Sequence, residues 1–130
     1  MLNKSGVKFT RLDDPAKTTA GLIANGSIVG WFQGRLEYGD RALGNRSILA
    51  DPRDPGMKRK VNATIKYRED FRPFAPSILL ENIDEYFESA APTPFMEKAL
   101  RIRPDKHRTI PAVTHVDGTG RLQTVCQDQN

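Results

Sequence analysis

A mixed α/β fold is predicted by two features of the sequence. The first is an order of elements: a capped helix, a tight left-handed stop, a nearly continuous apolar run at 27–32 and a glycine-rich loop. The second is a further capped helical stripe after a brief strand, followed by short β-rich runs separated by prolines. At 130 residues the chain is one domain at most.

Residues 1–13 alternate only weakly, with Val7 and Phe9 as candidates for a short strand. The first helix is expected at 15–24: Asp14 suits the N-cap, Pro15 the first position, and Asn25-Gly26 the stop. The run 27–32 reads as a strand covered on both faces. Residues 34–45 are too polar and glycine-rich for a buried element and read as a loop over a site. A brief strand resumes at 48–50, and the prolines at 52 and 55 end it. Asp54 then caps a helix begun by Pro55, with Met57, Val61 and Ile65 in one stripe and Lys58, Arg59, Lys60 and Asn62 away from it. Residues 71–76 run extended into a strand at 77–80. A short helix at 81–88 places Ile83, Tyr86 and Phe87 on one face. After a proline-rich break at 90–94, residues 96–103 lean to strand and 104–108 to a polar loop. Two β-rich runs, 110–116 and 121–125, are expected to pair as a hairpin through Asp117-Gly118-Thr119-Gly120. Residues 127–130 read as an unstructured end.

Hydrophobic residues at 38% and charged ones at 28% describe a soluble globular chain, without an apolar run near the roughly 20 residues of a membrane span. No signal-peptide core is present, so cytoplasm is the expected location. Cys126 is the single cysteine and His107 and His115 the only histidines, which excludes an internal disulfide and argues against a metal cluster. Between 33 and 77 ten basic residues oppose six acidic ones; that excess of four equals the formal net charge of +4. The balance admits nucleic acid but is mild for it, and phosphate-bearing small molecules fit equally well.

Arg35, Arg41 and Arg46 stand among glycines in the loop. Glycines let backbone approach a ligand closely, and guanidinium groups grip phosphate oxygens through paired charge-assisted hydrogen bonds. An oxyanion site is one reading; surface pairing with Glu37, Asp40 and Asp51 is the other. No phosphate-binding Gly-Lys-Ser or Gly-Lys-Thr occurs. Lys66 follows the second helical stripe, where the helix dipole alone favours a cation. Arg72 lies between Phe71 and Pro73-Phe74, an apolar wall that would desolvate it unless Glu69, Asp70 or a phosphate pairs with it. Arg121 follows the predicted turn without a structural role. His115 is a candidate general base, although a lone strand histidine is commonly structural.

Three stretches carry a family resemblance. They are Gly34-Arg35-Leu36-Glu37-Tyr38-Gly39-Asp40-Arg41-Ala42-Leu43-Gly44-Asn45-Arg46-Ser47-Ile48-Leu49-Ala50-Asp51-Pro52-Arg53, then Lys66-Tyr67-Arg68-Glu69-Asp70-Phe71-Arg72-Pro73-Phe74-Ala75-Pro76-Ser77, and His115-Val116-Asp117-Gly118-Thr119. Together they resemble the C-terminal domain of the antibiotic and nodulation-factor O-carbamoyltransferases. The resemblance implies a YrdC-like open twisted mixed sheet with flanking helices, which binds carbamoyl phosphate and ATP, with magnesium, to form carbamoyl adenylate. It implies that Arg41, Lys66, Arg72 and Arg121 line the pocket, with Lys66 and Arg72 as the catalytic pair; Arg35, Arg46 and His115 are further candidates. No metal site is implied in this domain. In that family an N-terminal Kae1-like domain with an iron site passes the carbamoyl group to an acceptor hydroxyl.

Neither the Kae1-like domain nor the family's later Asn-Thr-Ser-Phe-Asn motif occurs in this sequence. The expectation is therefore a domain truncated at its C-terminus, with complete transfer requiring the absent domain on another chain. Two alternatives accompany it: a YrdC-like RNA-binding module, and a non-catalytic fragment that oligomerises to complete its sheet.

Overall fold

A computed structural model of the chain describes residues 6–67, 69, 71–89 and 91–126. Helix α1 spans Pro15–Ala24, with the bounds expected from its local signals. The Asp14 carboxylate accepts a hydrogen bond from the Lys17 N–H at 2.8 Å, satisfying one of the first-turn donors that a helix leaves unpaired. Gly26, at φ +79°, then turns the chain away.

Strand β1 (Val29–Phe32) pairs antiparallel with β2 (Arg46–Leu49), in a register that sets Val29 opposite Leu49 and Phe32 opposite Arg46. The apolar run is not covered on both faces. Half-buried and exposed residues alternate along β1, and Phe32 keeps 76% of its surface, because this sheet has two strands and only one face packs inward.

Asp54 does not cap the helix: its carboxylate accepts from the Gly56 N–H at 2.7 Å in the turn before it, and α2 starts two residues later than expected, spans Met57–Val61 and has Gly56 at its N-cap. It continues as a π-helical turn, Asn62–Lys66, which ends on Tyr67 in the left-handed conformation at φ 48°. The stripe therefore holds only in part. Met57 and Val61 are buried while Ile65 is 40% exposed, and Asn62, expected on the outer side, is buried at 4%.

Residues 71 and 72 turn rather than extend, with the Arg72 N–H donating to the Glu69 carbonyl at 3.1 Å, and 73–76 lead into β3 (Ser77–Leu79), followed by a 3-10 turn at Leu80–Asn82 and by α3 (Ile83–Tyr86). Ile83 and Phe87 are buried on one face, as their spacing requires. Strand β4 (Leu100–Arg101) follows, then 3-10 turns at Pro104–Lys106 and Pro111–Val113.

The hairpin expected from 110–125 does not form. Its turn exists: the Gly118 N–H donates to the His115 carbonyl at 3.0 Å and the His115 N–H to the Thr119 carbonyl at 2.8 Å. The flanks go elsewhere. Strand β5 (Thr119–Gly120) pairs antiparallel with β4, and β6 (Gln123–Val125) pairs parallel with β3. Proline at 111 lacks the N–H that a ladder needs and starts a 3-10 turn where the first hairpin strand was expected.

The result is a mixed α/β fold with three separate two-stranded sheets among the described residues. No strand forms at Val7 or Phe9, which are both exposed. Residues 127–130 lie outside the described residues. Two core clusters hold the chain together, one around Phe87, Ile102 and Leu122 and one around Met57, Val61 and Ala112. Phe74 packs against both, so the segment after Arg72 links the halves of the core. Among the described residues no helix is long and apolar enough to cross a membrane.

Candidate functional site

A cleft of about 330 Å³ opens between the glycine-rich loop, α2 and its π turn, and the segment leading into β6. Met57, Val61 and Phe74 form apolar wall, and Arg41, Lys58, Lys66 and Arg121 bring four cations to it. The two acidic residues that line it among the described residues, Asp40 and Asp51, are both engaged. Asp40 pairs with Arg41 at 3.3 Å on the exposed side, and Asp51 is held at 2.6 Å by Arg53, which does not line the cleft. Hydrogen bonds from Arg53 keep the Asp51 carboxyl below its usual range against the opposing effect of burial.

Each cation is placed by a local cause. The loop folds inward around Glu37, whose Oε1 accepts from the Leu43 N–H at 2.7 Å and the Asn45 N–H at 2.9 Å. Gly39 and Gly44 take φ of 117° and 115°, a region that L-residues avoid, and this lets the loop bring Arg41 over the cleft. Gln123, buried at the start of β6, donates from Nε2 to the Leu43 carbonyl at 2.7 Å and accepts from Ser77 Oγ at 3.2 Å. Lys66 ends the π turn where Tyr67 stops it, and Arg121 sits between β5 and β6. Met96, which lines the cleft, is the other non-glycine residue at positive φ among the described residues.

Two of the guanidinium groups are incompletely satisfied. Arg41 Nε and Arg121 Nε are buried atoms without a hydrogen-bond partner among the described residues. A buried N–H left unpaired is costly, and an oxyanion in the cleft would complete both. His115, close to Arg121, hydrogen-bonds Thr119 Oγ1 through Nδ1 at 3.0 Å and keeps Nε2 buried without a partner among the described residues. Burial lowers its pKa below the usual 6.5; Asp117 opposes this, and the charges of Arg121 and Lys58 add to it.

The structure thus gathers Arg41, Lys66 and Arg121 and sets the remaining candidates apart. Arg72 does not line the cleft; its Nε pairs with Glu69 at 3.0 Å, and the side chain is 56% exposed. The apolar wall expected around it is absent because Phe71 turns outward, at 79% exposure. Arg46 closes the base of the β1–β2 pair. Its guanidinium donates to the carbonyls of Gln33, Asn45 and Gly34 and lies 3.5 Å over the Phe32 ring. Arg35 is exposed away from the cleft, its carbonyl accepting from Asn45. Lys58 and Gln123 were not among the expected residues. Lys58 borders the buried Met57, and Gln123 is a polar residue inside an apolar run, the one signal that could have marked it.

The chain is similar to known proteins over most of its length. The family described as Carbamoyltransferase C-terminus matches residues 20–130. Nodulation protein NolNO of Sinorhizobium fredii is 51% identical over 127 residues, covering 95% of this chain and 19% of its own length. Nodulation protein NolO of Bradyrhizobium diazoefficiens is 53% identical over 123 residues, covering 92% and 22%. The 3'-hydroxymethylcephem-O-carbamoyltransferase of Amycolatopsis lactamdurans is 39% identical over 137 residues, covering 97% and 26%. The chain thus spans about a fifth to a quarter of the length of these relatives, and it belongs to the carbamoyltransferase C-terminal family.

Proposed function

We propose that the cleft binds carbamoyl phosphate and ATP and supports formation of carbamoyl adenylate, in a YrdC-like domain whose carbamoyl group is passed on by a separate domain. One observation carries this: Arg41, Lys66 and Arg121 converge on a single cleft in which two guanidinium Nε atoms lack partners among the described residues. In the reaction, water releases phosphate and carbamate from carbamoyl phosphate. A carbamate oxygen then attacks the α-phosphorus of ATP, the α–β phosphoanhydride bond breaks, and pyrophosphate leaves.

Negative charge shifts between phosphoryl oxygens throughout, and fixed cations beside apolar wall stabilise it with little reorganisation. The arginines act as planar clamps and Lys66 as a point charge. Arg72 joins them by exchanging Glu69 for a phosphate, because an exposed ion pair of that kind is worth only about 0–1 kcal/mol. With Asp40 and Asp51 engaged, magnesium entering with ATP is held by the phosphates themselves. Titration calorimetry with carbamoyl phosphate tests the reading. Binding should weaken by about tenfold or more in Arg121→Ala, the loss expected for a charge-assisted contact. Absence of heat with both carbamoyl phosphate and ATP overturns it.

A further inference from the structure

Lys58 has a place in the fold that the carbamoyl adenylate reading leaves unused. It is half-buried on the wall of the cleft, and it also borders a second, shallower hollow formed with Pro55, Gly56 and Arg59. Its backbone is fixed by buried Met57 before it and buried Val61 one turn later. Neither Lys58 nor Arg59 has a hydrogen-bond or ion-pair partner for its side chain among the described residues. The contrast with Lys60 is informative: from the same helix, its ammonium is bound to the Gly26 carbonyl at 2.6 Å. Asp54, the acid nearest in sequence, spends its carboxylate on the Gly56 N–H.

We infer that Lys58 binds the outlying phosphates of a polyphosphate ligand where the cleft opens into the hollow, with Arg59 beside it. Arg41, Lys66 and Arg121 hold the inner phosphoryl group, and Lys58 takes the pyrophosphate end that departs when the α–β bond breaks. This rests on the proposed function and assigns its leaving-group subsite. The arrangement suits a ligand of consecutive phosphates, since Lys58 borders both the cleft and the second hollow.

The test is calorimetry on the 130-residue chain with inorganic pyrophosphate, ATP, inorganic phosphate and carbamoyl phosphate, for the unsubstituted protein, Lys58→Met and Lys58→Arg. Lys58→Met should weaken pyrophosphate and ATP by about tenfold, one lost charge-assisted contact, and change the monophosphate ligands by less than about twofold. Lys58→Arg, which keeps the charge, should recover most of the loss. Equal weakening of all four ligands would put Lys58 in the inner site and overturn the inference, as would unchanged pyrophosphate binding. In that last case, retained sensitivity of carbamoyl phosphate to Arg121→Ala leaves the proposed function standing. If no ligand binds the unsubstituted chain, both fall.

Discussion

Burial withdraws His115 from water, and Arg121 and Lys58 oppose a further positive charge beside them; Asp117 compensates only in part. Its folded pKa therefore lies below the ordinary 6.5, and the sign of the consequence follows from proton linkage. Between the folded pKa and 6.5 the unfolded chain binds more protons than the folded one, so stability rises with pH. The contribution is complete above 6.5 and is lost as pH falls toward the depressed value. Thermal melts across this window should show the midpoint falling on acidification, and His115→Asn should flatten the fall. An unchanged slope in the variant would assign the effect to other groups. A phosphate bound at Arg121 neutralises one of the charges that depress His115, so its NMR titration should move upward when carbamoyl phosphate is present.

The glycine-rich loop is the element on which the site most depends, and its shape rests on one carboxylate. Glu37→Ala removes the acceptor of the Leu43 and Asn45 N–H groups. Hydrogen exchange at those two amides should accelerate, and carbamoyl phosphate affinity should fall by about tenfold, while the melting midpoint moves little because the loop adds little to the core. Gly44→Ala should lower carbamoyl phosphate affinity in the same way and, unlike Glu37→Ala, also lower the melting midpoint, since backbone strain at φ 115° costs about 1–3 kcal/mol. Elements with local causes were legible in the sequence. Helix α1 has its capping acid, its first-position proline and its glycine stop within a dozen residues, and its bounds were read correctly. The Asp117-Gly118 turn was legible for the same reason, but its strands were not. Gln123 pairs with Ser77, 46 residues earlier, and no turn residue specifies a parallel partner so distant. Arg41 and Arg121 stood out as cations among glycines and turns, whereas the helix dipole alone accounts for Lys66 and only the family resemblance singled it out. Lys58 did not, since a lysine beside a helical stripe looks like a solvated residue until the cleft is seen next to it.

Across the whole molecule, exposed surface is large for the mass. The chain presents 9462 Å² at 14.6 kDa, against about 6,900 Å² for a compact monomer of that size. Phe32, Leu36, Tyr38, Tyr67 and Phe71 account for part of the excess, each at least 76% exposed. Less burial means a small stability, so ligand binding should be a large fraction of it. A ligand at a hundred times its dissociation constant adds about 2.7 kcal/mol when it binds only the folded state. At the few degrees per kcal/mol typical of small domains, the melting midpoint should rise on the order of 10 °C with saturating carbamoyl phosphate. The shift should shrink as salt screens the cleft cations, and it should be largely lost in Arg121→Ala. An equal shift in that variant would mean that the stabilising anion sits elsewhere on the basic surface. A shift confined to the unsubstituted protein would tie the molecule's stability to the cleft whose unsatisfied guanidinium groups the anion completes.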